Sequence, residues 1–137
     1  MKIVFDSNVI IDAVACREPF NKEAEEILLL SSQEIIKGYL TSNSITDIFY
    51  VIRRNLSESQ AKDIIRSIMY SLDVIEVNGS DCWEALNMTI SDFEDALIVT
   101  CAEKIKVDYI ISRDISLTKI DSTTPIILPS EFLKKIK

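Results

Sequence analysis

The stretch Lys2-Ile3-Val4-Phe5-Asp6-Ser7-Asn8 decides how the rest of the chain is read. A short β-prone run ends on an acid and two small polar residues, and Val9, Ile10, Ile11 and Ala13 then suit a short helix. A strand handing over to a helix in this way opens an α/β fold, in which the carboxyl ends of parallel strands gather on one edge and hold the ligand there. Further along, Asp47 follows Tyr39-Leu40-Thr41-Ser42, Asp95 opens an apolar helix, and Asp114 follows Tyr109-Ile110-Ile111-Ser112-Arg113. Carboxylates converging on one edge repel one another unless a divalent cation sits among them. The chain reads first as a metal site.

The elements between these acids support that architecture. Apolar positions Ala24, Ile27, Leu28 and Leu30 predict a helix from Asn21 to about Ile36, stopped by Gly38. A strand at Tyr39–Thr41 precedes a helix starting at Ser44, and Ser57 with Gln60 forms a capping-box pattern for a helix over Glu58–Ser71. Strands are expected at Val74–Val77, Tyr109–Ser112 and Ile126–Leu128, with a turn at Asn78-Gly79. Helices are expected from Ser80, from Ser91 to about Lys106, and after Pro129 at a first helical position. Short strands alternating with helices imply a three-layer α/β/α sandwich around a parallel sheet of about five strands, one domain spanning residues 1–137.

Composition narrows the chemistry. The 137 residues are 47% hydrophobic and 27% charged, as in an ordinary globular protein. There is no histidine, which removes Ser-His-Asp and Cys-His nucleophiles, histidine-based ribonuclease mechanisms and H-E-x-x-H metalloproteases. An enzyme built from this sequence must use carboxylates, a metal or lysine. Cys16, Cys82 and Cys101 form no C-x-x-C pair and are expected to be small buried residues in a reducing compartment. No apolar run approaches the ~20 residues of a membrane span. Asp6 and Asp12 interrupt any signal-peptide core, so the expected location is cytoplasmic with no membrane contact. The net charge of −7 argues against a strongly basic nucleic-acid surface, although a bound cation would neutralise part of it.

Each acid also has a structural reading. Asp6 can be the N-cap of the helix near Val9. Asp47 stands three residues after Ser44, as the acid of a capping box would. Ser91 and Glu94 make a second such box, which assigns Glu94 to structure. Asp92 and Asp95 are three apart on one helical face, as a metal or its waters would need. Asp114 is either a cap or a ligand. Mg²⁺ suits such residues because it takes hard oxygen donors and keeps several waters. The chemistry this supports is phosphodiester hydrolysis.

Taken together, Ile3-Val-Phe-Asp6-Ser-Asn8-Val-Ile-Ile-Asp12, Thr41-Ser-Asn-Ser44-Ile-Thr46-Asp47, Asp92-Phe-Glu-Asp95-Ala-Leu-Ile98 and Asp108-Tyr-Ile-Ile-Ser-Arg-Asp114 resemble the PIN domain of VapC-type toxins. The tail Pro125-Ile-Ile-Leu-Pro129-Ser-Glu-Phe-Leu133 resembles the family's closing strand and helix. The resemblance implies that Asp6, Asp95 and Asp114 are metal-site acids for Mg²⁺ or Mn²⁺, with Asp47 at the second acid position, where members often carry Glu. It places Asn8 and Ser112 beside the site and Asp92 as an acid bordering it, and leaves Asp12 to solvent or a helix cap. It implies endonucleolytic cleavage of RNA, a cognate antitoxin and a homodimer. Arg17, Arg53, Arg54 and Arg113 are candidate phosphate contacts, each with ordinary solvated charge as the alternative. Three other readings stand beside this one. A haloacid-dehalogenase-like phosphatase needs an acid where Asn8 stands, a receiver domain lacks its acidic pair and lysine here, and a PIN fold can act as a binding module without hydrolysis.

Overall fold

The computed structural model describes residues 1–137. The chain runs β1 (Lys2–Phe5), α1 (Ser7–Val14), α2 (Asn21–Ser32), β2 (Lys37–Thr41), α3 (Ser42–Ile52), α4 (Glu58–Ser71), β3 (Asp73–Ile75), α5 (Gly79–Leu86), α6 (Phe93–Ile105), β4 (Tyr109–Ile111), α7 (Ile115–Thr118), β5 (Ile126–Ile127) and α8 (Pro129–Ile136). The five strands form one parallel sheet in the order β3-β2-β1-β4-β5. This arrangement is the expected α/β/α sandwich. It departs from the 2-1-3-4-5 order of receiver-type sheets, which removes that reading.

β1 is central, so it is buried on both faces and reads as an unbroken apolar run. Alternate residues serve opposite layers. Ile3 and Phe5 join the core formed with α1, α2, α3, α4 and α8, while Val4 joins the core formed with α6 and α7. Ile111 and Ile127 follow the first pattern, and Ile110 and Ile126 the second. α5 packs on α6 through Ala85, Ala96 and Leu97. No helix is long and apolar enough to cross a membrane.

Two expectations about Gly38 and α2 are corrected. α2 ends at Ser32, and Glu34, at φ 60°, takes the left-handed turn that redirects the chain. Gly38 lies inside β2 and serves close packing. A Cβ there would stand 2.5 Å from Leu72 Cδ2, 2.6 Å from Ser31 Oγ and 2.8 Å from Phe5 Cε2. The capping box of α4 is present in both directions, with Ser57 Oγ accepting from the Gln60 amide and Gln60 Oε1 from the Ser57 amide. Of the cysteines only Cys101 is buried. Cys16, in the left-handed turn after α1, is exposed, and Cys82, on α5, is partly so.

Candidate functional site

The sheet order reverses at β1, between β2 on one side and β4 on the other, and ligands of open α/β sheets lie in the crevice at such a switch point. Asp6 leaves β1 at that place, and its amide donates to the Ile111 carbonyl at 2.9 Å. Asp6 occupies the N-cap position of α1, yet its side chain caps nothing. It accepts instead from Ser112 Oγ at 2.8 Å. Ser112, fully buried at the end of β4, uses the same oxygen to accept the Asp114 amide at 3.0 Å. One hydroxyl thus ties together the acids that follow β1 and β4. Asp114 is exposed and caps α7, with Oδ1 accepting from the Ser116 amide at 2.9 Å and Ser116 Oγ at 2.7 Å. Capping and bordering the site coexist in this residue.

The other acids arrive on helices. α6 begins one residue later than the Ser91 pattern implies, because Asp92 is its N-cap and accepts the Asp95 amide at 3.1 Å. This frees Glu94 from the predicted capping box and turns it toward the cavity. α3 begins at Ser42, and Ser44 is buried against Thr41, oxygen to oxygen at 2.8 Å. Asp47 is therefore past the first turn, and the capping explanation for it no longer applies.

Asp6, Asn8, Asp47, Glu94 and Asp95 line one cavity of about 360 Å³. Asp92 and Asp114 line a neighbouring depression, and Asp95 borders both. The structure thus assembles all the predicted acids along one edge, with Ser112 beneath them. Glu94 is the acid that the sequence reading set aside. The signal for it was Asp92-x-x-Asp95, an alternative cap three residues ahead of an acid, which leaves Glu94 unassigned.

Crowding shows in the acidities. Burial pushes Asp95 up to about 6, helped by Asp92, Asp6, Asp114 and Glu94. Burial also raises Asp6, against the Ser112 hydrogen bond that lowers it, and Asp114 adds to the rise. Glu94 is raised by burial and then by Asp47, Asp92 and Asp6. Asp114 moves the other way, because Ser116 bonds its ionised form. No three acids converge into a ready-made chelate. The donors are all hard oxygens that repel one another at neutral pH, a set suited to a cation that keeps part of its water shell. Were a cation bound along this edge, Asp6, Asp47, Asp95 and Asp114 would be the nearest candidates to supply its oxygens.

Asp12 is corrected. It neither faces solvent nor caps a helix but is 1% exposed. Arg113 Nε donates to its Oδ2 at 2.6 Å and Nη2 to its Oδ1 at 3.3 Å. Arg17 stands 4.0 Å away, and the Arg113 guanidinium lies 4.4 Å over the Phe20 ring. No local pattern announces this pair, because the partners are 101 residues apart. Arg53 is occupied with the Leu56 carbonyl at 2.8 Å. Of the four candidate arginines, Arg54 alone lines the acidic cavity.

Comparison with known proteins agrees with this architecture. No curated protein matches the chain by sequence. Among solved structures, the chain resembles a DNA-bound VapBC from Salmonella typhimurium at a TM-score of 0.70 and 12% identity, covering 94% of this chain and 98% of that one. It resembles VapBC-1 from nontypeable Haemophilus influenzae at 0.68 and 14%, covering 95% and 99%. It also resembles Mycobacterium tuberculosis VapC20, a sarcin–ricin loop cleaving toxin, at 0.67 and 11%, covering 90% and 99%. At such identities these likenesses speak for the fold. The model of the PIN domain matches residues 2–116, from the first strand through the turn that Asp114 caps. By that match and by its fold, this chain belongs to the PIN domain family.

Proposed function

We propose that this chain is a metal-dependent endoribonuclease that hydrolyses RNA phosphodiester bonds with Mg²⁺ or Mn²⁺. We infer further that it is the toxin of a toxin–antitoxin pair acting in the cytoplasm. The observation that carries the first reading is the cavity at the sheet's switch point lined by Asp6, Asp47, Glu94 and Asp95, where burial and the neighbouring acids also push Asp95 up to about 6. Acids assembled in this way at a sheet's switch point, without a histidine or lysine among them, call for a cation.

Asp6, Asp95 and Asp114 are the proposed metal acids, and Asp47 the fourth catalytic carboxylate. When bound, the cation lowers the pKa of water and stabilises charge on phosphate oxygens. The chain's own residues do the positioning. Ser112 fixes the rotation of the Asp6 carboxylate and the approach of the Asp114 backbone. Asp92 fixes the first turn of α6, and with it Asp95. Asn8 stands at the mouth, where it can bond a phosphate oxygen or a water.

The partner readings rest on surface. Ile45, Phe49 and Ile65 line an apolar groove between α3 and α4, which suits a homodimer or an antitoxin helix. An acidic cavity in a chain of net charge −7 suits a basic antitoxin segment, whose arginine can take the cation's place.

The deciding experiment combines purified protein, a panel of RNAs and a titration of Mg²⁺ and Mn²⁺. Cleavage that starts with the cation, stops with EDTA and is absent in Asp95→Asn supports the nuclease. Cleavage that persists in EDTA removes the mechanism. Growth arrest on expression, relieved by Asp6→Ala or by co-expression of a neighbouring small protein, supports the toxin role. Unimpaired growth with active soluble protein leaves a nuclease without that role.

A further inference from the structure

α5 and α6 pack antiparallel, the start of one beside the end of the other. Asp81, in the first turn of α5, is buried and accepts from Lys104 Nζ, near the end of α6, at 2.6 Å. At the far end of the contact, Ala85 of α5 meets Ala96 and Leu97 of α6. Between these two contacts lie Cys82 on α5 and Cys101 on α6. Cys82 packs against the cluster of Ala85, Ala96 and Leu97, so its side chain faces α6. The side chains of a helix lean toward its N-terminus, and the Lys104 ammonium that meets Asp81 therefore stands over the preceding turn, which is the turn of Cys101. That sets Cys82 and Cys101 at one level of the helix pair.

The two thiols differ in access. Cys82 is half-buried and open to small solutes, whereas Cys101 is fully buried. Burial pushes the Cys101 thiol up to about 11, Lys104 opposes that rise, and the negative charges of Asp81 and of an ionised Cys82 add to it. A thiol so placed stays protonated and is inert toward an oxidant in solution. It is reached only by a neighbouring sulfur. A disulfide needs closely approaching backbones with facing Cβ atoms, and the small side chains of Ala85 and Ala96 allow the helices that approach.

We propose that Cys82 and Cys101 form an oxidative modification site, a peroxide-responsive dithiol that closes reversibly into a disulfide pinning α5 to α6. The Cys82 thiolate attacks one oxygen of hydrogen peroxide, the O–O bond breaks, and hydroxide leaves and takes up the thiol's proton as water, so that Cys82 becomes a sulfenic acid. The Cys101 sulfur then attacks the Cys82 sulfur. The S–O bond breaks, hydroxide leaves with the Cys101 proton as a second water, and the two electrons given up by the pair of thiols have reduced one peroxide. Exchange with a dithiol returns both cysteines to the reduced form, as a transient disulfide in a reducing compartment requires. The loop closed by the bridge, residues 83–100, contains Asp92, Glu94 and Asp95, so oxidation restrains the segment that carries these acids. The pairing does not depend on the nuclease reading.

The test uses the full chain carrying Cys16→Ser, which removes the exposed third thiol. The folded protein is treated with hydrogen peroxide, alkylated in denaturant and cut after glutamate, because Glu84 and Glu94 separate the two cysteines. Its intact mass should fall by that of two hydrogen atoms, and Cys82 and Cys101 should be recovered in joined peptides that dithiothreitol parts. The oxidised chain should melt about 5 °C or more above the reduced one, since the bridge constrains the unfolded state. In Cys101→Ala, Cys82 should stop as a sulfenic acid that dimedone traps. In Cys82→Ser, Cys101 should remain a thiol after the same treatment, and this variant with the peptide map decides the matter if Cys101→Ala does not fold. Three results would overturn the site: peptides joined only between two chains, Cys82 carried on to sulfinic acid while Cys101 is still alkylated, or a bridge whose formation lowers the melting temperature.

Discussion

The Arg113 guanidinium clasps the buried Asp12 carboxylate through two of its nitrogens, at 2.6 and 3.3 Å, while lying 4.4 Å over Phe20. Arg113 sits in sequence between Ser112, which bonds Asp6, and Asp114, which bounds the site. The pair therefore anchors the β4–α7 loop to α1 at the point where the acids meet. It also keeps this arginine's charge engaged with Asp12. Removing one member leaves the other charge poorly paired. Complete burial would make that cost about 3–5 kcal/mol, and the partial exposure of Arg113 reduces it to roughly 2–3 kcal/mol. Asp12→Asn and Arg113→Gln should each lower unfolding stability by that amount in urea titrations. The double variant should lose less than the sum, as a coupled pair requires. Additive losses would show that the two residues act independently.

Ser112→Ala tests the hydroxyl that links Asp6 to Asp114. Without it Asp6 loses the hydrogen bond that opposes the rise in its pKa, and the Asp114 amide loses its acceptor. Manganese affinity, followed by electron paramagnetic resonance, should fall about 10- to 100-fold, with cleavage falling in step. An unchanged affinity would separate Ser112 from the metal acids.

Asp95→Asn should abolish cleavage yet stabilise the cation-free protein. The wild-type carboxyl titrates near 6 when folded, above its ordinary 3.8, so the unfolded chain gives up this proton first. Its contribution to stability therefore falls as pH rises from about 4 to about 6 and stays lower above that. In EDTA, the melting temperature of Asp95→Asn should overtake that of the wild type across this window and keep its lead at pH 7.5. Adding Mn²⁺ should raise the wild type more than the variant. A lead that is already complete at pH 4 would point to packing as its cause.

Gly38→Ala should destabilise the fold without touching the chemistry. The new methyl group would meet Leu72, Ser31 and Phe5 within 2.8 Å, three neighbours from three elements that cannot all withdraw. Overpacking of this kind costs about 1–3 kcal/mol. Thermal melting should show the loss, and kcat measured well below the melting temperature should stay near that of the wild type.

What could be read in the sequence was local. The apolar run Ile3-Val4-Phe5, the capping box of Ser57 and Gln60, and Pro129 at a helix start each state their structure within a few residues. The strand-end positions of Asp6 and Asp114 were legible for the same reason. Glu94 and Asp47 were harder, because a capping pattern and a site acid look alike until the helix start is known. A shift of the cap by one residue at the start of α6 and by three at the start of α3 changed both assignments. Asp12 was beyond reach, since it depends on an arginine far along the chain.

The central place of β1 also bears on when the site comes into being. Asp6 is made well before the hydroxyl that orients it, which is 106 positions further along, and β4, just before that hydroxyl, pairs directly with β1. Closing so long a loop cannot precede synthesis of its far end. A chain still on the ribosome therefore carries its first acids without the partners that arrange them, and the acidic edge assembles only after Tyr109–Asp114 have been added. The topology delays the arrangement of this site until β4 and the residues that follow it have been made.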